Sequence, residues 1–201
     1  MSILPRLSFK NQAFKLREHA ILDAATAVLS QKGYDLMTMD DVAGAVGISK
    51  PSLYKHFKSK EELVGEALIR LLDGALDYVA GLDSALSPLQ KLSSLLEWAL
   101  RVRLDGGLPF LPSTSPHVRE MLMRNVKYML RVMKLNRQLE ALVKQGQQQG
   151  QLNHELPPDV ILFSYYARTC DPAVEFLQKY SKMPADDIVR HMLKVSFEGF
   201  R

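Results

Sequence analysis

Between Ile48 and Lys60 the chain places Lys50, Ser52, Tyr54, Lys55, His56 and Lys60 within eleven residues and includes no carboxylate. Ammonium, hydroxyl, phenol and imidazole groups can all donate hydrogen bonds to phosphate oxygens or to the acceptor edges of bases. A carboxylate among them would repel a nucleic-acid backbone. The chemistry on offer is recognition of an anionic polymer. Bond-making chemistry finds little footing. The five histidines, at 19, 56, 117, 154 and 191, are widely separated and show no metal-ligand spacing. No glycine-rich phosphate loop follows a strand, and no nucleophile elbow is present. The expectation is a non-enzyme with no catalytic residues, no metal and no cofactor. Cys170 is the single cysteine, so it has no partner for an internal disulfide or a zinc site. A lone helical cysteine is usually a small buried hydrophobe rather than a redox sensor.

These side chains need elements to hold them, and the segment TMDDVAGAVGISKPSLYKHFKSKEE supplies them. Thr38 followed by Asp41 makes a capping-box start, so a short helix should begin at Met39. Val42, Ala43 and Val46 form its inner face, and Ala43 is small enough to admit a second helix closely. Gly47 can take a positive φ, and Ile48 can plug the corner. Ser49 caps the next helix and Pro51 fits its first turn. Leu53 and Phe57, four apart, point inward. Lys50, Ser52, Lys55 and His56 then face out, with Tyr54 at the border. Ser59 and Glu62 form a further capping box, which puts Lys60 in the first turn of the following helix. Two short helices joined by a glycine-containing turn make a helix-turn-helix.

With the helix before it, the pattern T-x-x-x-V-A-x-x-x-G-I-S-K-P-S-L-Y-K-H-F-K-S-K-E-E-L resembles the tetracycline-repressor (TetR) family of bacterial regulators. The close match covers roughly residues 16–66. The resemblance implies a homodimeric repressor bound to a near-palindromic operator in double-stranded DNA and released by a small-molecule effector. It places Thr38 on a phosphate, and Lys50, Pro51 and Ser52 nearest the base edges. Tyr54, His56 and Lys60 would grip the backbone, and Lys55 could read either. The rival reading is a helical small-molecule or lipid carrier whose N-terminal helices no longer bind DNA. The intact polar face argues against it.

Charge supports the same division. Residues 1–60 hold nine Lys and Arg against five acids, while the other 141 hold seventeen of each. The whole excess of +4 lies beside the motif. No stretch of eighteen uncharged apolar residues occurs and no signal peptide is recognisable, so a cytoplasmic protein with no membrane partner is expected. Helical periodicity recurs throughout and strand alternation is nowhere sustained. Ile21, Ala24, Ala25, Val28 and Leu29 mark a first helix, from about Phe14 to Gln31, that Gly33 ends. The expected fold is all-α with about nine helices: an N-terminal three-helix helix-turn-helix domain over residues 11–66, and a helical effector-binding and dimerisation domain over 67–201.

In that second domain, Asp105 to Pro116 resists helix, with three prolines and two glycines. A long helix is expected from His117 to about Gln149, apolar on two sides and therefore buried on both. Candidate ligand contacts, for an apolar or amphipathic effector, are Trp98, Phe110, Tyr128, Met129, Phe163 and Tyr166. Arg103, His117 and Arg168 are candidates for orienting an anionic group. The last two helical stretches, about 158–180 and 184–201, carry Phe163, Val174, Leu177, Ile188, Met192, Val195 and Phe197. This is more apolar surface than terminal helices need, so they are expected to pair across a two-fold axis.

Overall fold

A computed structural model describes residues 9–109 and 116–199. All regular structure among them is helical. In chain order the helices are α1 (Phe9–Leu36), α2 (Met39–Val46), α3 (Lys50–Tyr54), α4 (Lys60–Gly81), α5 (Pro88–Leu104), α6 (Pro116–Arg124), α7 (Val126–Gln148), α8 (Pro158–Thr169), α9 (Ala173–Tyr180) and α10 (Ala185–Glu198). They form two compact units, with the division inside α4, after Ala67.

In the first unit α1 packs on α2 and α2 on α3. Ile21 and Ala25 of α1 are fully buried, together with Met37 in the link to α2. Gly33 sits at φ 72°, ψ 169°, a conformation essentially confined to glycine, and interrupts α1 before its last short turn.

In the second unit α5 packs against α7, α8, α9 and α10. Leu92, Leu95, Leu96 and Leu100 of α5 are among the most deeply buried side chains of the chain. The helix expected from His117 divides at Asn125, whose side chain accepts from the Tyr128 amide and so caps a fresh helix. That division, with the break between α8 and α9, gives ten helices among the described residues. Only one face of α7 is buried in its own unit, through Tyr128, Leu135, Leu139 and Val143, while Val126, Leu130 and Met133 are exposed. The expected two-sided burial is corrected to one side.

The last helices also depart from expectation. Val174 of α9 and Ile188 and Met192 of α10 lie in the core of their own unit. Packing on α5 absorbs the α10 stripe, so that helix turns Asp186, Arg190, His191 and Lys194 outward. Of the expected pairing residues Phe163 is exposed, and Val160 on α8 and Phe176 and Tyr180 on α9 are exposed beside the expected set.

A buried arginine ties this unit together. Arg103, near the end of α5, donates to the carbonyls of Thr169 and Asp171 at 3.2 and 2.9 Å and to Glu175. The α8–α9 junction is thereby fixed to α5. Its freed carbonyls are satisfied by a charge that itself has three partners, which is the condition for burying it.

Candidate nucleic-acid interface

The N-terminus of α2 is closed by a reciprocal cap. The Thr38 hydroxyl accepts from the Asp41 amide at 3.1 Å, and the Asp41 carboxylate accepts from the Thr38 amide at 2.9 Å. Lys32 adds an ion pair to Asp41 at 2.7 Å. This lysine is the main reason that the Asp41 carboxyl is lowered to about 2, with the Thr38 bonds next. Gly47 ends α2 in the left-handed region (φ 75°, ψ 32°), and the Ile48 amide reaches back to the Ala43 carbonyl at 3.0 Å. Ser49 then caps α3 by accepting from the Ser52 amide. Val42, Ala43, Leu53 and Phe57 are buried between the helices. A corner clamped at both ends and filled in the middle fixes the direction of α3.

That direction leaves Lys50, Pro51, Tyr54 and Lys55 exposed and Ser52 half-buried at the rim. The structure therefore brings these five onto one surface with the Thr38 cap close in sequence. Three contacts were not visible in the sequence. Lys50 pairs with Asp40 in the first turn of α2 at 2.7 Å, which raises the lysine pKa further. A carboxylate thus does approach the recognition face, though from the other helix. Lys60 lies over the Tyr34 ring, 4.2 Å from its centroid, and the Tyr34 hydroxyl donates to Glu61 at 3.0 Å. Burial, followed by that glutamate, pushes the phenol up to about 12.

His56 differs from its neighbours. Its ring stacks on Phe14 with centroids 4.1 Å apart, and its Nδ1 is buried with no hydrogen-bond partner. Burial depresses its pKa below 6.5, against a smaller opposing pull from Glu18. Near neutral pH it is an uncharged imidazole wedged between α1 and the end of the motif. The positive charge of the face comes from lysines.

The family model for bacterial regulatory proteins of the tetR family matches residues 21–67, the whole of this motif with most of α1 and the start of α4. Residues 21–67 therefore match a tetR-type DNA-binding motif. Among relatives, the transcriptional repressor KstR2 of Mycolicibacterium smegmatis is 41% identical over 80 residues, covering 39% of each chain. The regulator BetI of Rhizobium meliloti is 35% identical over 88 residues, 43% of each chain. These matches span about two-fifths of the relatives' own length. Likeness of fold extends much further. The fatty acid degradation regulator FadR of Bacillus halodurans superposes with a TM-score of 0.71 at 18% identity, over 92% of this chain and 96% of that one. KstR2 of Mycobacterium tuberculosis gives 0.67 at 23%, over 91% and 94%.

Of the six expected ligand residues, Phe163 and Tyr166 lie together, with ring centroids 6.4 Å apart. Phe110 lies outside the described residues. Trp98 stacks on Tyr78 with centroids 5.7 Å apart, beside Gly74. Tyr128 and Tyr166 are buried and Met129 half-buried, whereas Phe163 is 65% exposed. Of the expected anion-orienting residues, Arg103 and Arg168 both reach Asp171, the first at its carbonyl at 2.9 Å and the second at its carboxylate at 3.3 Å. Arg103 is consumed by the α8–α9 junction, and His117 lies in a shallow depression with Glu120, Met121 and Arg124. Arg168 lines a different space, a cavity of about 280 Å³ walled by Leu92 and Leu96 of α5, Val143 of α7, the 152–156 loop, α8 and the end of α10.

Proposed function

We propose that this chain is a DNA-binding transcriptional repressor that acts as a dimer on a near-palindromic operator. The exposed face of Lys50, Pro51, Ser52, Tyr54 and Lys55 on a rigidly clamped α3 carries this reading. Side chains held on a fixed helix can read base edges, whereas a flexible basic segment could only neutralise phosphates. Lys50, Pro51 and Ser52 would meet the bases, the first by exchanging Asp40 for an acceptor in the groove. Thr38, Tyr54 and Lys60 would hold phosphates, with Lys55 serving either and His56 contributing as a neutral donor. The repressor KstR2, similar over this part of the chain, supports the reading. Residues 11–66 would be the DNA-binding domain and 67–201 the effector-binding and dimerisation domain, released by an apolar or amphipathic small molecule. A fold shared with a FadR solved in complex with stearoyl-CoA favours an effector of that broad kind.

The dimer would form through the outward face of α8. Val160, Phe163, Ser164 and Ala167 are all exposed and fall within about 100° of one another. Small residues beside one large aromatic allow two helices to approach closely.

Substitution separates the roles. Lys60→Ala should weaken binding to selected and random duplexes alike and flatten the salt dependence by about one unit of slope. Lys50→Ala should change which duplex is preferred. Unchanged affinity and salt dependence in both variants would remove α3 from the interface.

A further inference from the structure

We infer that the cavity between α5, α7, α8 and α10 is the sensor site, and that it takes an amphipathic monoanion: an apolar body with a carboxylate or similar head. This rests on reading the second unit as effector-binding. The walls are apolar, built from Leu92, Leu96, Val143, Leu152, Ile161 and Phe197. The Tyr165 hydroxyl, which could have made the interior polar, is spent on the Leu92 carbonyl at 3.0 Å. Arg168 is the one charged residue in the lining, and its carboxylate partner, Asp171, is outside that lining. Its Nη1 reaches Asp171 at 3.3 Å, a long bond on a side chain 42% exposed, which leaves guanidinium donors for a ligand. Asn153, Ser164 and Ser196 are the remaining polar groups. An apolar body with few polar groups fixing orientation is the pattern of small-molecule sites, and a volume near 300 Å³ is at the small end of their range.

The cavity is also built rather than incidental. The loop that closes it is pinned from α7 by Gln147, whose amide donates to the carbonyls of Asn153 and Leu156 at 2.8 and 2.7 Å. Gln151 accepts from the Leu89 amide at the start of α5 at 3.1 Å. Gly146 allows Leu152 to approach α7, since a Cβ there would stand 2.9 Å from its Cδ1. Val160 and Ser164, at the mouth, belong also to the α8 face assigned above to the dimer. A ligand under that face can bias the dimer through different affinities for its two arrangements.

Decanoate, decanol and decylamine share one apolar body and differ in head charge, so calorimetric titration of the full-length protein with each reads the site directly. Decanoate should bind most tightly and decylamine least. Arg168→Gln should weaken decanoate about tenfold, as expected for one charge-assisted bond, with Arg168→Lys between, and leave decanol within about twofold. Leu156→Trp, enlarging an exposed lining position outside the α8 face, should block decanoate and decanol together while the thermal midpoint stays unchanged. Equal binding of the three heads, or an unaltered decanoate affinity in Arg168→Gln, would overturn the anion assignment. Decanoate binding that survives Leu156→Trp but is lost in Met129→Ala would move the site to the Tyr128 region. Failure of DNA binding with the ligand results intact would sink the repressor reading and leave the cavity assignment standing.

Discussion

Both units bury leucines, yet they commit their polar residues differently. In the first, Thr38, Asp41, Ser49 and Ser59 are spent on helix ends, and the lysines are left on the surface. In the second, the polar residues hold helices to one another over long sequence separations. Arg103 reaches the α8–α9 junction, Tyr165 reaches α5, Arg131 pairs with Asp73 at 2.6 Å, and Arg101 pairs with Asp186 at 2.7 Å. The first unit is thus a local construction that presents a fixed surface to an outside partner. The second is a non-local one whose helices border the cavity that Arg168 lines. A recognition surface and a sensor place opposite demands on the same polar side chains.

The contrast can be broken most severely at Leu53, fully buried under α3. Leu53→Ala should cost the first unit about 2–5 kcal/mol. DNA binding should disappear in a gel-shift assay, while sedimentation still finds a dimer, because the proposed pairing face is on α8 of the second unit. A monomer would show that the units are not energetically separate. Arg103→Met makes the complementary cut. It strands the Thr169 and Asp171 carbonyls and should cost about 2–4 kcal/mol, read as a lower midpoint in chemical denaturation. An unchanged midpoint would mean that the junction is held by packing alone. Phe163→Glu, on an exposed position, should weaken self-association about tenfold or more without lowering the monomer's stability. If the dimer constant is unmoved, the pairing face lies elsewhere.

The smallest expected effect is at His56. Its folded-state pKa lies below the ordinary 6.5, so the unfolded chain binds a proton that the folded unit refuses. Stability of the first unit should therefore fall as pH drops from above 6.5 towards the lowered value. His56→Gln should remove that dependence in pH-resolved melts, and a slope that persists would assign it to another group.

Legibility in the sequence followed the same division. Each end of α2 and the start of α3 is specified within four residues, by Thr38 with Asp41, Gly47 with Ile48, and Ser49 with Pro51, so the motif could be read locally. The fresh start at Asn125 uses a cap of the same kind, but it sits inside an unbroken apolar pattern that hid it. The contacts that tune the face were beyond local reading: Lys50 to Asp40 spans ten residues, and Phe14 to His56 joins α1 to the motif's end. In the second unit the apolar period located helices but not partners. Ile188 and Met192 read as surplus surface because nothing in the sequence says that α5 covers them. Trp98, Tyr128 and Phe163 suggested one pocket because large side chains mark burial without saying which space they border. Arg168 was legible as a cation near an apolar region, and only the fold shows which region.

Selection of duplexes from a randomised pool by the purified protein tests the central claim most directly. A dimer reading DNA through α3 should enrich a near-palindrome whose half-sites are centred about one helical turn, roughly 10–10.5 base pairs, or a multiple of it apart. Lys50→Ala should enrich a different half-site from the same pool. Recovery of no common sequence, or of the same half-site by the wild type and Lys50→Ala, would contradict the assignment of α3 as the reading helix.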